Sequence, residues 1–257
     1  MGTTQITYMG LFLLLILIIP LMLMNKQLKL SLNKRMVYVI IRMFIQLTLV
    51  GLFLQFLFER NDPLLNCAYL TVMIVVAGFS ALKSTGLSFS KVGIPIMAAF
   101  IIPNIVMIFY FNKIVINLAS PFDARYFIPI GGMLMGNSLS GIIVGLNRFY
   151  DAIRNDQKTY FYTLALGATR SEALFPYVKN ALLASISPTL ASLETIGLVH
   201  LPGMMTGQIL GGSFPIVAIR YQMAIMLAIL VIRYASTLLA IYFTSIRAFN
   251  EFDVLDL

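Results

Sequence analysis

The stretch MGLFLLLILIIPLMLM, residues 9–24, decides the fold class of this protein. It carries no charged side chain, and a helical apolar run of about 20 residues spans the hydrocarbon core of a bilayer. No basic residue precedes the stretch, and no Ala-x-Ala cleavage site follows it. We therefore expect a retained membrane span rather than a cleaved signal peptide.

Comparable apolar runs recur along the whole chain. Of its 257 residues, 60% are hydrophobic and 11% are charged, whereas a soluble domain carries about a quarter charged residues. This composition excludes a soluble single-domain enzyme and predicts one all-α, multi-pass membrane domain over residues 1–257. About seven spans are predicted: Tyr8–Met24, Met36–Phe58, Leu64–Leu82, Val92–Phe111, Tyr126–Leu146, Ala181–Leu201 and Ile216–Phe243.

The basic residues between these spans predict the orientation. One set of connections carries twelve Lys and Arg residues, and the opposite set carries four. Because Lys and Arg accumulate in cytoplasmic loops, we expect the N-terminus outside the cell membrane and the C-terminus in the cytoplasm. We therefore attribute the net charge of +8 to loops beside the membrane surface. We expect contact with membrane lipid and no nucleic-acid partner.

One predicted cytoplasmic connection, Asn147–Asn180, is much longer than the others. Within it, Thr169 and Glu172 have the Thr-x-x-Glu spacing of a capping box, which starts helices. Pro176 would end or kink that helix one turn later. We therefore predict a short, capped helix that could dock onto a partner.

The chain lacks the residue patterns of common enzyme sites. It has no Gly-x-x-x-x-Gly-Lys-[Ser/Thr] motif for nucleotide phosphates. Cys67 is its one cysteine and His200 its one histidine, which excludes an intramolecular disulfide, a Cys-rich metal site and a His-Glu-x-x-His site. We therefore expect that this chain is not an enzyme and has no catalytic residue and no cofactor of its own.

Polar residues inside predicted spans are candidate functional residues, because burying them in a bilayer costs free energy. Arg42 and Gln46 lie four residues apart on one helical face. Either the two side chains line a path or specify packing, or the Arg42 side chain extends to the cytoplasmic surface of the membrane. Glu194 is either a cation or proton site, or one half of an ion pair with Arg42 or Arg233.

The stretch LPGMMTGQILGG, residues 201–212, is too rich in glycine to form a regular span. It is either an outer loop or a broken, re-entrant piece that lines a cavity. Met204 and Met205 could offer thioether ligands to a soft cation, or could simply pack. The metal ligands stay unknown, with Glu194, Met204 and Met205 as candidates.

Residues 201–212, followed by Pro215, Ala218 and Tyr221-Gln222, resemble the signature of a bacterial ABC transporter permease family. Members of that family resemble the membrane subunit of an iron exporter, and plant relatives are linked to aluminium tolerance. GMLMGN at 132–137 and LALGA at 164–168 are similar to two further motifs of the family. The resemblance extends from about Arg42 to Phe249.

The resemblance implies a permease that works with a separate ABC-type ATPase, two copies of each, with ATP and Mg bound by the partner. It implies that the short capped helix is a cytoplasmic coupling helix, and the residues that it assigns to ATPase coupling are Leu166, Gly167, Ala168, Thr169, Glu172 and Pro176. From the resemblance and from the polar residues inside predicted spans together, the residues expected to line the substrate path are Arg42, Gln46, Asn137, Glu194, Pro202, Gly203, Met204, Met205, Gly207, Gln208, Tyr221 and Gln222.

Three residues depart from the family pattern: Phe161 replaces an acidic residue, Ser140 an Asn, and Glu194 an uncharged residue. Export of iron or another metal cation is the first expectation, and it rests on the resemblance alone. One alternative is an ion-coupled secondary transporter or channel that depends on Glu194. Another is ABC transport of an organic anion such as a nucleotide-sugar, with Arg42, Arg220 and Arg233 as contacts.

Overall fold

The computed structural model describes residues 6–256, which form ten α-helices and no β-strand. A π-helical turn, Phe111–Val115, extends the fifth helix. The helices are α1 Tyr8–Ile16, α2 Ile18–Gln27, α3 Asn33–Arg60, α4 Pro63–Thr85, α5 Phe89–Tyr110, α6 Ala124–Asn155, α7 Gln157–Ala165, α8 Arg170–Thr195, α9 Gly203–Leu210 and α10 Pro215–Ala248.

The first span is broken between α1 and α2. Pro20 has no N–H for the carbonyl of Ile16, and its ring crowds that carbonyl. The break therefore falls at Leu17, immediately after Ile16, although the sequence stays apolar on both sides.

Six helical segments between residues 6 and 256 are long and apolar enough to cross a membrane, rather than the seven predicted. They are Met9–Gln27, Asn33–Arg60, Pro63–Thr85, Phe89–Val115, Ala124–Asn155 and Pro215–Ala248. An all-α multi-pass membrane protein is thereby confirmed. Most of the predicted span Ala181–Leu201 lies in α8, which ends at Thr195 and is less apolar because Lys179, Asn180 and Glu194 lie along it.

Helix α8 is nevertheless longer than the thickness of a bilayer core. Its 26 residues correspond to about 39 Å at 1.5 Å per residue. The predicted short coupling helix is the first part of α8, because Pro176 lies inside the helix instead of ending it. Packing of α8 against α6 and α10 keeps the helix continuous through this proline.

The centre of the bundle is α10, which packs against α5, α6, α8 and α9, while α4 packs against α5 and α6. We call the end where α7 meets the start of α8 the α7 end. There the hydroxyl of Tyr177 in α8 donates to Asp156 Oδ2 at 3.1 Å. At the opposite α9 end, the rings of Tyr126 in α6 and Tyr221 in α10 stack at 6.5 Å.

Two glycines let α6 and α10 approach closely. A Cβ on Gly145 would lie 2.3 Å from Thr237 Cγ2, and one on Gly141 would lie 2.7 Å from Arg233 Cγ. Ser185 of α8 joins the same contact, with its hydroxyl 3.0 Å from Thr237 Oγ1. Small residues at helix crossings are how membrane helices gain packing contacts.

Gly145→Val is expected to destabilise the protein by about 1–3 kcal/mol, because the new methyl groups overpack the α6–α10 contact. The measurement is the midpoint of thermal unfolding of the purified protein in detergent. Gly136→Val on the same helix is the matched control, because a Cβ at Gly136 meets nothing within 4 Å. Equal losses in both variants would contradict the close-contact explanation.

Candidate functional site

The connection between α7 and α8, residues 166–169, forms an exposed corner at the α7 end. Gly167 has φ +93° and open space around it, a backbone conformation that suits glycine. The predicted capping box is confirmed: Glu172 Oε2 accepts from Thr169 N at 2.8 Å, and Thr169 Oγ1 accepts from Glu172 N at 3.4 Å. Helix α8 therefore starts at a fixed residue.

Large apolar side chains project from this corner. Tyr162, Leu166 and Phe175 are 65%, 71% and 68% exposed. Ala168 is half-buried, and Pro176 is exposed on the first turns of α8. The predicted coupling residues therefore lie together with these exposed apolar side chains, in a region that we call the α7–α8 corner.

The C-terminal tail, which sequence reasoning missed, ties this corner to the rest of the bundle. Asp253 forms an ion pair with Arg170 at the start of α8. The Arg170 guanidinium also lies over the ring of Phe249, 5.6 Å from its centroid. Asp256 pairs with Lys91 Nζ of α5 at 2.6 Å. Acidic residues after the last span were the sequence signal for these contacts.

The glycine-rich stretch at 201–212 forms a short helix, α9, between two turns. Eight residues amount to about 12 Å, too short to cross a bilayer. Pro202 lies just before its first residue, and Gly212 ends the segment with φ +95°. Helix α9 packs against α10.

A cavity of about 550 Å³ lies between the end of α8, α9 and the start of α10. Met205 and Gln222, two of the predicted path residues, line it together with Met223 and Met226. Gln222 is 5% exposed and its Oε1 has no hydrogen-bond partner. The remaining lining is apolar: Leu193, Ile196, Gly197, Leu201, Ile219 and Leu227.

The other predicted path residues of α8–α10 surround this cavity without lining it. Met204 is half-buried against the core, and Gly203 and Gly207 are exposed. Gln208 is half-buried with its Oε1 unpartnered. Tyr221 contacts Tyr126, and Glu194 is exposed on α8.

Three predicted path residues lie elsewhere. Asn137 of α6 is half-buried, and its side-chain amide donates to Met133 O in its own helix at 2.9 Å. Arg42 and Gln46 are exposed on α3, a helix whose apolar window has no buried residue. The structure therefore does not bring Arg42 and Gln46 together with the cavity.

Arg233 lies buried near the middle of α10. It is 8% exposed, and its Nε has no hydrogen-bond partner. Its stem packs over Gly141 beside Ser185 and Thr237. The ion pairs among residues 6–256 join Lys91–Asp256, Arg154–Asp151 and Arg170–Asp253. The alternative of an ion pair between Glu194 and Arg42 or Arg233 is therefore wrong for this conformation.

The described part of the chain holds no group of three His, Cys, Asp or Glu side chains that could bind a metal ion. The metal candidates Glu194, Met204 and Met205 are not assembled either, since Glu194 is exposed and only Met205 of the two methionines lines the cavity. One copy of the chain therefore offers isolated ligands to a metal.

The chain matches, over residues 8–249, the model of a family described as an uncharacterised protein family, UPF0014. It is 39% identical over 201 residues to Protein ALUMINUM SENSITIVE 3 of Arabidopsis thaliana, which covers 77% of this chain and 71% of that protein. It is 35% identical over 222 residues to the UPF0014 membrane protein YjkA of Bacillus subtilis, covering 85% and 86%.

A third relative is the Probable iron export permease protein FetB of Escherichia coli. It is 28% identical over 251 residues, which cover 98% of this chain and 95% of that protein. No solved structure matches the chain significantly.

Thr169→Ala is expected to weaken the start of α8 by about 1 kcal/mol, because the first-turn N–H groups lose their cap. Hydrogen exchange of the peptide that contains Glu172 and Ala173 should become faster. Thr163→Ala is the control, because the Thr163 hydroxyl bonds only the carbonyl of Thr159 in its own helix. Unchanged exchange in Thr169→Ala would contradict the capping role.

The cap should also depend on pH. The Thr169 hydroxyl, and then its backbone N–H, hold the pKa of the Glu172 carboxyl below its ordinary 4.5. The carboxylate therefore stabilises the helix start above pH 4.5, and this contribution is lost as the pH falls through the lowered pKa. Hydrogen exchange, corrected for its intrinsic rate, should show this loss in wild type and not in Glu172→Gln.

Proposed function

Because the chain belongs to the UPF0014 family of membrane proteins, we propose that it is the permease subunit of an ABC transporter that exports a metal cation, with ATP hydrolysed by a separate subunit. The family resemblance predicted from the sequence is confirmed by the match over residues 8–249. The name of the Escherichia coli relative, a probable iron export permease, supports metal export.

The observation that carries the proposal is the exposed α7–α8 corner. Contiguous apolar side chains on a surface outside the lipid mark a protein contact. Tyr162 in α7, Leu166 in the connection and Phe175 in α8 are exposed in this way, and the capping box fixes the start of α8. The excess of Lys and Arg in the connections at the α7 end supports a cytoplasmic position, where an ATPase would find ATP and Mg.

The tail contacts support transmission of movement from the corner into the bundle. Arg170 at the corner is paired with Asp253, and Asp256 of the same tail is paired with Lys91. Displacement of the start of α8 by a closing ATPase pair would therefore move α5 and α10 as well. Such rigid-body shifts are how alternating access opens a path to one side at a time.

The assembly that we propose contains two permeases and two ATPases. Each permease would present one α7–α8 corner to one ATPase, which is the arrangement expected for a two-fold symmetric complex. ATP and Mg would be bound by the partner subunits, since the sequence contains no phosphate-binding loop.

One observation favours a second candidate, ABC transport of an organic anion. Arg233 is a buried cation without an acidic partner among residues 6–256. A carboxylate or phosphate group on a substrate would supply that partner. Glu194 would be dispensable in this case, so substitutions of Glu194 and Arg233 distinguish the two candidates.

Leu166→Asp and Gly167→Arg are expected to reduce co-purification of the chain with its ATPase several-fold, because both place a charge in the docking surface. The measurement is the amount of ATPase retained by the tagged chain, together with vanadate-sensitive ATP hydrolysis. Leu198→Asp is the control, since Leu198 is 88% exposed at the opposite, α9 end. Failure of the wild-type chain to bind any candidate ATPase would overturn the ABC proposal.

Cells that express the chain with its ATPase are expected to retain less iron or manganese, measured by mass spectrometry of washed cells. Glu194→Gln should raise the retained metal towards the level of cells without the transporter. Glu251→Gln is the matched control, because Glu251 is exposed in the tail outside the spans. Retained metal that stays the same with and without the transporter would contradict metal export and favour the organic anion.

A further inference from the structure

Gln222 of α10 is a buried amide with an unused hydrogen-bonding group. Its side chain lines the cavity between α8, α9 and α10, it is 5% exposed, and its Oε1 has no hydrogen-bond partner. An unpartnered polar group in a protein interior lowers the stability of the fold. Such a group therefore calls for an explanation, and one explanation is a ligand that supplies the missing partner.

Other buried amides are used by the fold itself. The side-chain oxygens of Asn66 and Asn112 are also unpartnered, but each amide donates to a backbone carbonyl at 2.9 Å, Phe122 O and Pro121 O respectively. These two side chains therefore hold neighbouring segments in place. Gln222 differs from them because it lines a cavity.

The cavity has the size and the lining of a small-molecule site. Its volume of about 550 Å³ falls within the range of about 300–1,000 Å³ that is typical of ligand pockets, which are mainly apolar with a few polar groups. Gln222 is the one polar side chain among the ten residues that line it. None of those ten residues is charged.

The cavity runs along one face of α10. The lining residues of that helix, which recur at spacings of three and four, are Ile219, Gln222, Met223, Met226 and Leu227. They span about 12 Å of helix, with Met205 of α9 and Leu193 of α8 also in the lining. Methionine side chains are flexible and unbranched, so they adapt to ligands of irregular shape.

Water does not suit this cavity. A buried water molecule needs two to four polar partners, and Gln222 offers the one polar side chain in the lining. The backbone N–H groups of Ile196 and Gly197 are already bonded, to Ser192 O and His200 O. A molecule that is apolar apart from one hydrogen-bonding group would satisfy Gln222 and fill the remaining space.

Charged ligands do not suit the cavity either. An anion or a hard cation would lie among apolar side chains with no opposite charge in the lining, which is costly. Met205, Met223 and Met226 could offer thioether ligands to a soft cation. A single ion would leave most of the 550 Å³ unfilled, so the volume favours a larger, uncharged molecule.

We propose that this cavity binds a small uncharged amphiphile, which is an apolar body that carries one hydroxyl or amine group. The hydroxyl or amine donates a hydrogen bond to Gln222 Oε1, and the apolar body lies along Ile219, Met226 and Leu227. A molecule bound there contacts α8, α9 and α10 at once. Binding needs neither an ATPase nor a metal, so the site goes beyond the proposed transport function.

Photolabelling with 3-azioctanol, a medium-chain alcohol that carries a photoreactive diazirine, tests the site in liposomes that contain the purified chain. Peptides that contain Met205 or Met226 are expected to be labelled saturably, as measured by mass spectrometry, and octan-1-ol should compete. Octane should compete about five-fold less well, because it forms no hydrogen bond. Leu52 of α3, 66% exposed, reports labelling from lipid. Labelling that does not saturate, or that equals the labelling at Leu52, would overturn the proposal.

Gln222→Leu tests the hydrogen bond, because leucine keeps the approximate size of the side chain and removes its amide. Octan-1-ol and octane should then compete equally. The midpoint of thermal unfolding without alcohol should be unchanged or higher, because the variant loses an unpartnered buried group. A preference for octan-1-ol that survives the substitution, or a lower midpoint, would overturn the role of Gln222 as the anchor.

Met226→Trp tests the position of the ligand independently of Gln222. The larger side chain fills the cavity, so saturable labelling should be lost. Met43→Trp is the matched control, because Met43 is 45% exposed on α3, and it should leave the labelling unchanged. Normal labelling in Met226→Trp would place the alcohol elsewhere and overturn the proposal.

Ag⁺, a soft cation that thioethers bind, tests the competing occupant. In a Cys67→Ser background and chloride-free buffer, Ag⁺ should leave the labelling unchanged. Displacement of the alcohol by Ag⁺, abolished by Met205→Leu, would overturn the proposal in favour of a cation site. Because the labelling uses neither ATP nor transport, its failure leaves the tests of ATPase binding and metal export unaffected.

Discussion

The close contact between α6 and α10 is the constraint on which the remaining structure depends. Lipid is as apolar as a leucine side chain, so the hydrophobic effect does little to hold membrane helices together, and packing must do it. Gly141 and Gly145 remove the side chains that would separate the two helices. Helices α5 and α8 then pack against α10, and the glycine contact therefore fixes the position of α8.

Helix α8 combines two environments on opposite faces. Its inward hydroxyl, Ser185, is satisfied by Gly141 O at 3.1 Å and by Thr237. Its outward Ser187 bonds only to the carbonyl of Leu183 in its own helix, and Glu194 forms none of the ion pairs found in residues 6–256. A helix with polar groups on both faces is too hydrophilic to resemble an ordinary span, yet it is long enough to be one.

The spans themselves could be predicted from the sequence, because each is a long apolar run and a bilayer admits few structures other than helices. The capping box at Thr169 and Glu172 was equally accessible, since it depends on residues three apart. The predicted helix end at Pro176 was wrong, because local rules give the free-energy cost of a proline inside a helix but not the tertiary packing that offsets it. The surroundings of Arg233 and the role of the tail depend on contacts between residues far apart in sequence, which no local pattern reveals.

The structure separates two groups of predicted site residues, Arg42 and Gln46 on α3 and the residues around the cavity at α9. Helix α3 contributes Leu57 as its buried residue, so Arg42 and Gln46 lie away from the bundle and from the cavity at α9. The sequence alone does not distinguish the polar residues of α3 from those of α8, because each set interrupts an apolar run. Only the packing shows that α8, unlike α3, is held against the centre of the bundle.

The C-terminal tail also sets an order of assembly during biosynthesis. Asp253 and Asp256 leave the ribosome long after Arg170 and Lys91, with which they pair. The contacts at the start of α8 therefore cannot be complete until the segment that follows α10 has been synthesised. A nascent chain, or one truncated shortly after α10, would reach the bilayer with every span present and the α7–α8 corner still untethered.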